Sequence, residues 1–439
     1  VTWKLKGSWS HKTISFQATL VDDLEDEESA LNYLENLHSD MEGTVHSAIT
    51  RPWTESPPKP LITSTLQQEA SALHNINPKS AMQAAQRLYE AGHITYMRTD
   101  KAVLSEEAVN AAQAWVRSNL GLDYVGTPQE TAAPKQSKGK GKKDEGPKAQ
   151  EAHEAIRPTH FEVRELPADE DWSGMDRKIY TLIWNRAVQS TMAAARGELR
   201  KILFKAKGDP CEFDWQSQWR RTIFLGWKKL GATANLDDEE NEQDSQDTIW
   251  KEASSIKEGS VITWTSLEAL PYQSRASPRY TEATLVRELE KKGIGRPSTF
   301  AMLLASIQDK KYVEKQNIPV QKVQRTRYSL SPGQWPPTGV SFDQQIGGEK
   351  DKLVPTSLGE RVLQFCVEKF ADLFDYGFTA SMETRLDKIA DGQEQWKQVL
   401  RDTWASYKDR YETLKKTDAD MSSRSKEFPG GIKAVQSKK

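Results

Sequence analysis

Leu88-Tyr89-Glu90-Ala91-Gly92-His93-Ile94-Thr95-Tyr96-Met97-Arg98-Thr99-Asp100 changes character midway. Ala91-Gly92 is a helix-stop signal, and Ile94 to Arg98 after it reads as a strand or extended segment. Extended alternation puts the Tyr96 phenol and the Arg98 guanidinium on one face. A phenol is a poor nucleophile at neutral pH, whereas a guanidinium beside it favours the phenolate and can bind a phosphate bidentately. Such a pair suits attack on a phosphodiester. Taken alone, Tyr-x-Arg on a strand is more often packing beside a surface charge.

Upstream, residues 63 to 119 are mainly helical, with Ser64 or Thr65 expected to cap one helix, Ser80 a second, and Ser105 with Glu106 and Glu107 a third. Thr54 to Pro60 reads as a Pro-rich connector. Residues 1 to 20 alternate like one or two strands, and Asp26-Glu27-Glu28-Ser29 opens a helix carrying Leu31, Leu34 and Leu37. Downstream, the lysine-rich stretch 132 to 148 predicts a mobile surface loop and Asp237 to Asp247 a disordered acidic one. An amphipathic helix is expected from Asp176 to Ala194, with strands at 201–204, 222–225 and 261–264. Residues 281 to 312 and 358 to 412 read as helical.

At 439 residues the chain has room for roughly three domains at about 150 each. With 61 basic and 63 acidic residues its net charge is −2, so any nucleic-acid binding must be local rather than a product of overall basicity. Cys211 and Cys366 are the only cysteines, which excludes a disulfide scaffold and a multi-thiolate zinc site. No apolar run approaches the roughly 18 residues of a spanning helix. The opening Val1-Thr2-Trp3-Lys4-Leu5-Lys6, without an initiator Met, reads as a fragment or processed product.

Three further motifs carry chemistry. Thr281 opens a helix that Gly293 stops; Ile294-Gly295-Arg296-Pro297 turns, and Ser298 or Thr299 caps a second helix, a helix-turn-helix pattern whose N-terminus suits a phosphate. Glu151-Ala152-His153-Glu154-Ala155-Ile156-Arg157-Pro158 brings an imidazole, two carboxylates and another Arg together. Thr63-Ser64-Thr65-Leu66-Gln67-Gln68 offers free donors at a helix start. Each alone is compatible with a plain helical hairpin, a solvated His or a helix cap.

Together and in this order, these motifs and the Tyr96 stretch closely resemble the type IA DNA topoisomerases, bacterial topoisomerase I above all, over residues 1 to about 412. The resemblance implies a multidomain α+β fold, a torus with a strand-rich arch and mainly helical domains bearing helix-turn-helix-like elements. Residues 1–60 and 161–270 would form the arch, 61–160 the domain carrying Tyr96, 271–412 the helical single-strand-binding domain, and 413–439 a flexible tail. It implies that Tyr96 is the nucleophile, that Arg98 clamps the scissile phosphate and that His153 joins its hydrogen-bond network. Thr65, Gln67, Arg157, Thr281, Arg296 and Ser298 would contact DNA.

The implied reaction cuts one strand of underwound DNA through a 5′-phosphotyrosine, passes the other strand and reseals, without ATP or zinc. Mg²⁺ is expected for the complete enzyme, its carboxylates on an acidic Toprim domain that this sequence lacks, so the chain alone should relax little or no DNA. A monomer is expected, with no membrane, at the nucleoid of the cytoplasm if bacterial; organelle and nucleus stay open. Lys101 stands where the family usually has Ser. The alternative is a non-catalytic module that keeps the fold and binds single strands.

Overall fold

Alternation along the first strand sets up the larger core. In β1 (Thr2–His11), Trp3, Leu5, Gly7 and Trp9 turn inward between residues that do not. The computed structural model describes residues 1–37, 42–127, 154–207, 209, 211–231 and 247–427, with side chains as far as 417. In it β1 pairs on both edges, with β2 (Ile14–Leu20) and with β6 (Val261–Tyr272). β3 (Glu42–Glu55), β4 (Ala195–Ala206) and β5 (Asp214–Phe224) complete a closed antiparallel barrel in the order β1-β2-β5-β4-β3-β6. Inside it Trp9 meets Phe204 edge-on at 4.7 Å and Trp215 at 5.3 Å. A Cβ on Gly7 would lie 2.5 Å from the Trp9 indole nitrogen, so glycine is what lets the ring lie against its own strand. Helix α1 (Glu27–Glu35) adds Tyr33 and Leu34 to this core, and Asp26 caps it by accepting the Ser29 N–H at 2.8 Å.

The expected connector at Thr54 is corrected, because β3 runs on to pair Thr54 with Arg196 and Glu55 with Ala195. The connector begins at Ser56. Much of β3, including His46, Arg51 and Pro52, alternates too weakly to announce a strand.

A second core joins α2 (Thr63–His74), α3 (Pro78–Glu90), α4 (Glu106–Asn119) and α5 (Gly174–Gln189). Ala81, Ala84 and Ala85 are fully buried, which lets α3 lie close against α5. Ser105 caps α4 as expected, but two other caps differ. α2 starts after Ile62, with Thr65 reaching back from the third position to accept the Ile62 N–H at 2.9 Å, and Asn77 rather than Ser80 caps α3, ahead of Pro78. α5 is capped by Ser173 and ends at Gln189, because residues 190 to 194 turn to feed β4. A short helix, α6, covers residues 247–255.

Beyond the barrel come α7 (Glu282–Lys291), α8 (Phe300–Asp309), α9 (Ser357–Phe370), α10 (Tyr376–Ala390) and α11 (Trp396–Glu427). α11 extends well into the stretch expected as a flexible tail. Between α8 and α9 stands an antiparallel hairpin that the sequence did not announce, β7 (Val313–Ser331) and β8 (Gln334–Pro355). Both strands are largely exposed on both faces, so no alternation marks them. Its tip returns to the barrel, where Tyr328 to Leu330 pair with β6 and the Tyr328 hydroxyl donates to Glu27 at 2.6 Å. The stretches 132–148 and 237–246 lie outside the described residues.

Candidate functional site

The Tyr96 segment leaves α3 at Gly92, whose φ of +80° suits glycine, and is then held from two sides. Ile94 bridges Pro158, the Thr95 N–H donates to Arg157 O at 2.9 Å, and the Arg157 N–H returns to Thr95 Oγ1 at 3.0 Å. From α2, the fully buried Thr63 donates its hydroxyl to Met97 O at 2.7 Å and accepts the Thr99 N–H at 2.9 Å. Met97 and Thr99 are therefore buried while Tyr96 and Arg98 are exposed, the alternation expected of an extended segment. Tyr96 is 38% exposed and its ring meets Tyr89 edge-on at 5.2 Å.

Thr63 tests how this strand is fixed. Thr63→Val keeps the volume but strips partners from Met97 O and Thr99 N–H, which should cost about 1–3 kcal/mol. Amide exchange at Thr99 is expected to quicken by about tenfold or more. Unchanged exchange there would mean that other contacts hold the strand.

Arg98 opens into a cleft of about 850 Å³ between α3 and α8, whose walls also carry Lys79, Arg87, Ser298, Met302 and Lys310. Ser298 thus faces the same space as Arg98. Outside the cleft α2 and α7 are tied to each other, where the Ser64 hydroxyl donates to Glu290 at 2.6 Å. Behind the cleft Arg87 pairs with the buried Asp176 at 2.6 Å. Burial would raise the Asp176 carboxyl, but Ser173 and Arg87 outweigh it and hold it low.

Other residues singled out from the sequence are engaged within the protein. Arg157 forks onto Glu154 at 2.9 and 3.0 Å and also donates to Pro158 O. Arg296 contacts Glu383 at 3.3 Å and Asp387 at 2.8 Å on α10. Thr281 caps α7 by accepting the Thr284 N–H, and Thr65 closes the start of α2. Thr299, not Ser298, occupies the cap of α8, and its hydroxyl accepts the Arg296 N–H at 2.9 Å. Gln67 is fully buried, and among the described residues neither amide atom has a hydrogen-bond partner. In this state it cannot reach a strand unless its surroundings open. His153 lies outside the described residues. Thr63, Lys79 and Lys310 were missed as individual residues; Thr63 sits inside a quoted motif, while the two lysines carry no motif at all.

Burial alone would raise the Glu154 carboxyl, but Arg157 and Ser105 outweigh it and hold it below the ordinary carboxylate range. A depressed carboxylate contributes stability above its unfolded value, near 4.5, and loses it as pH falls through the folded value. Glu154→Gln should therefore be less stable than the unaltered chain at pH 7, with the gap closing as pH falls below 4.5. Urea titrations across that range check it, and a pH-independent gap would contradict it.

A family model described as DNA topoisomerase matches residues 2–327 and 344–401. Similar curated proteins include a "DNA topoisomerase 1 type prokaryotic" of Acanthamoeba polyphaga mimivirus, 33% identical over 382 residues, 85% of this chain and 43% of that protein. DNA topoisomerase 1 of Vibrio cholerae is 34% identical over 372 residues, covering 84% and 35%, and that of Escherichia coli K12 is 33% identical over 350, covering 80% and 34%. The chain spans between a third and just under half the length of these relatives. Among solved structures, full-length topoisomerase I of Thermotoga maritima matches with a TM-score of 0.67 at 24% identity, over 93% of this chain and 59% of that one. The fold is that of topoisomerase I, a mixture of helices and strands with a closed barrel.

Proposed function

The chain belongs to the type IA DNA topoisomerases, and on that premise we propose that it carries the strand-cleaving machinery of such an enzyme. The observation that carries this reading is the Tyr96 segment. Two hydrogen-bonded supports hold it, and it leaves a phenol and a guanidinium exposed, the guanidinium opening into a cation-lined cleft. Tyr96 Oη attacks the phosphorus of one strand. The bond to phosphorus forms as the bond to the 3′ oxygen breaks; the phenol gives up its proton, the departing oxygen takes one up, and the products are a 5′-phosphotyrosine and a 3′-hydroxyl. Arg98 holds the phosphate and neutralises its charge. The covalent bond conserves the energy of the phosphodiester, so resealing needs no ATP and underwinding drives strand passage.

Ser298, Arg296, Thr281, Thr65, Gln67 and Arg157 are proposed to hold the strand near the cut, with His153 in the phosphate's hydrogen-bond network. For Arg296 and Arg157 this requires exchanging a carboxylate partner for a phosphate, and for the buried Gln67 it requires its surroundings to open. Among the described residues no group of three His, Cys, Asp or Glu side chains converges on a metal position. The Mg²⁺ ligands of the complete enzyme are proposed to lie on the Toprim domain. The substrate is then the single-stranded segment of underwound duplex, acted on by a monomer, at the nucleoid in a bacterial cell. No helix among the described residues is long and apolar enough to cross a membrane.

Plasmid relaxation tests the reading. With a Toprim domain and Mg²⁺ present but no ATP, negatively supercoiled plasmid should lose its supercoils. Supercoils that persist, although the assembled protein binds the plasmid, would refute it.

A further inference from the structure

We propose that the cleft between α3 and α8 is a phosphate track in which Lys79 and Lys310, together with Arg98, hold the single strand, so that a bound strand spans both walls. The proposal rests on the reading of the chain as a handler of single-stranded DNA, and adds which residues grip that strand beyond the cut. Lys79 lies in the first turn of α3 and Lys310 caps the C-terminal end of α8, and both line the same cleft as Arg98. Along α3, Lys79 and Arg87 are about 12 Å apart at 1.5 Å per residue. The cleft thus has Lys79 at one end of its α3 wall and Arg87, partly engaged by Asp176, at the other.

Lys79, Arg98 and Lys310 form no ion pair among the described residues, and Lys79 and Lys310 are exposed. One carboxylate, Asp309, lines the cleft against them. In a chain whose net charge is −2, such a concentration of unneutralised cations marks a seat for a polyanion. Between them the surface is apolar, formed by Met82, Ala301, Met302 and Ala305, with Met302 62% exposed. Thioethers adapt to ring edges and faces, so this stretch suits unpaired bases. A duplex keeps its base faces stacked inside and could use only the charges. Because Lys79 and Arg98 stand on one wall and Lys310 and Ser298 on the other, an occupied track ties the two walls together.

The test is fluorescence anisotropy of a 5′-labelled 12-mer of oligothymidine, titrated between 50 and 200 mM salt, with the unaltered chain and with Lys79→Ala/Lys310→Ala. Each lost contact to a single strand should flatten the dependence of log K on log salt by about 0.7, so the pair should flatten it by about 1.4. Asp309→Asn, which removes the opposing carboxylate, should tighten binding. A slope unchanged in the double variant, folded by circular dichroism, would overturn the track alone. No binding by the unaltered chain would overturn the underlying single-strand reading as well.

Discussion

Tyr96→Phe is expected to abolish covalent capture of DNA while leaving single-strand affinity unchanged. Only the hydroxyl is removed; the ring keeps its edge-on contact with Tyr89, and its neighbours Met97 and Thr99 stay pinned by Thr63. Tyr96 is 38% exposed, so losing one oxygen opens no core cavity. Covalent catalysis without its nucleophile has no route to the intermediate, and the loss should be complete rather than graded. The check is a denaturing gel of labelled single-stranded DNA with a Toprim domain and Mg²⁺. A surviving adduct in the variant would assign the nucleophile to another residue.

Trp184→Ala is expected to have the largest effect on stability. Trp184 is fully buried in α5, meets Trp115 edge-on at 4.7 Å and donates its indole N–H to Phe161 O at 3.0 Å. Its removal leaves a cavity and an orphaned carbonyl, costing about 3–5 kcal/mol. The same core contains Ala155 and Ile156, which lead into the residues that support the Tyr96 segment. Amide exchange in α3 and α5 should quicken by about 10²- to 10³-fold, since each 1.4 kcal/mol is tenfold. Adduct formation should fall with it. Exchange that changes only within α5 would show that the core is not one cooperative unit.

Where local chemistry decides structure, the sequence was legible. The alternation of Trp3, Leu5 and Trp9, the Asp26 and Ser105 caps and the outward pair Tyr96 and Arg98 each follow from neighbours within a few residues. Where partners lie far along the chain, it was not. Arg296 reads as a free cation, yet the carboxylate of Asp387, 91 residues away, holds it. Gln67 reads as a donor beside a helix start, but packing buries it without a partner. The β7–β8 hairpin has no buried face to impose a period of two, so it was silent between two helical patterns. The α3–α8 cleft is likewise invisible to motifs, because Lys79 and Lys310 meet only through the packing of two helices.

The central claim is that Tyr96 takes the 5′ phosphate of a cut strand. The most direct measurement traps the adduct on 3′-labelled single-stranded DNA with a Toprim domain and Mg²⁺, trims it with nuclease and locates the nucleotide by peptide mass spectrometry. The expected result is that the protein retains the 3′ label before trimming and that afterwards a 5′-phosphonucleotide remains on the peptide containing Tyr96. A nucleotide on another residue, attachment through a 3′ phosphate, or no adduct from an assembled, DNA-bound complex would contradict it. The last outcome would leave a single-strand-binding module with a topoisomerase fold.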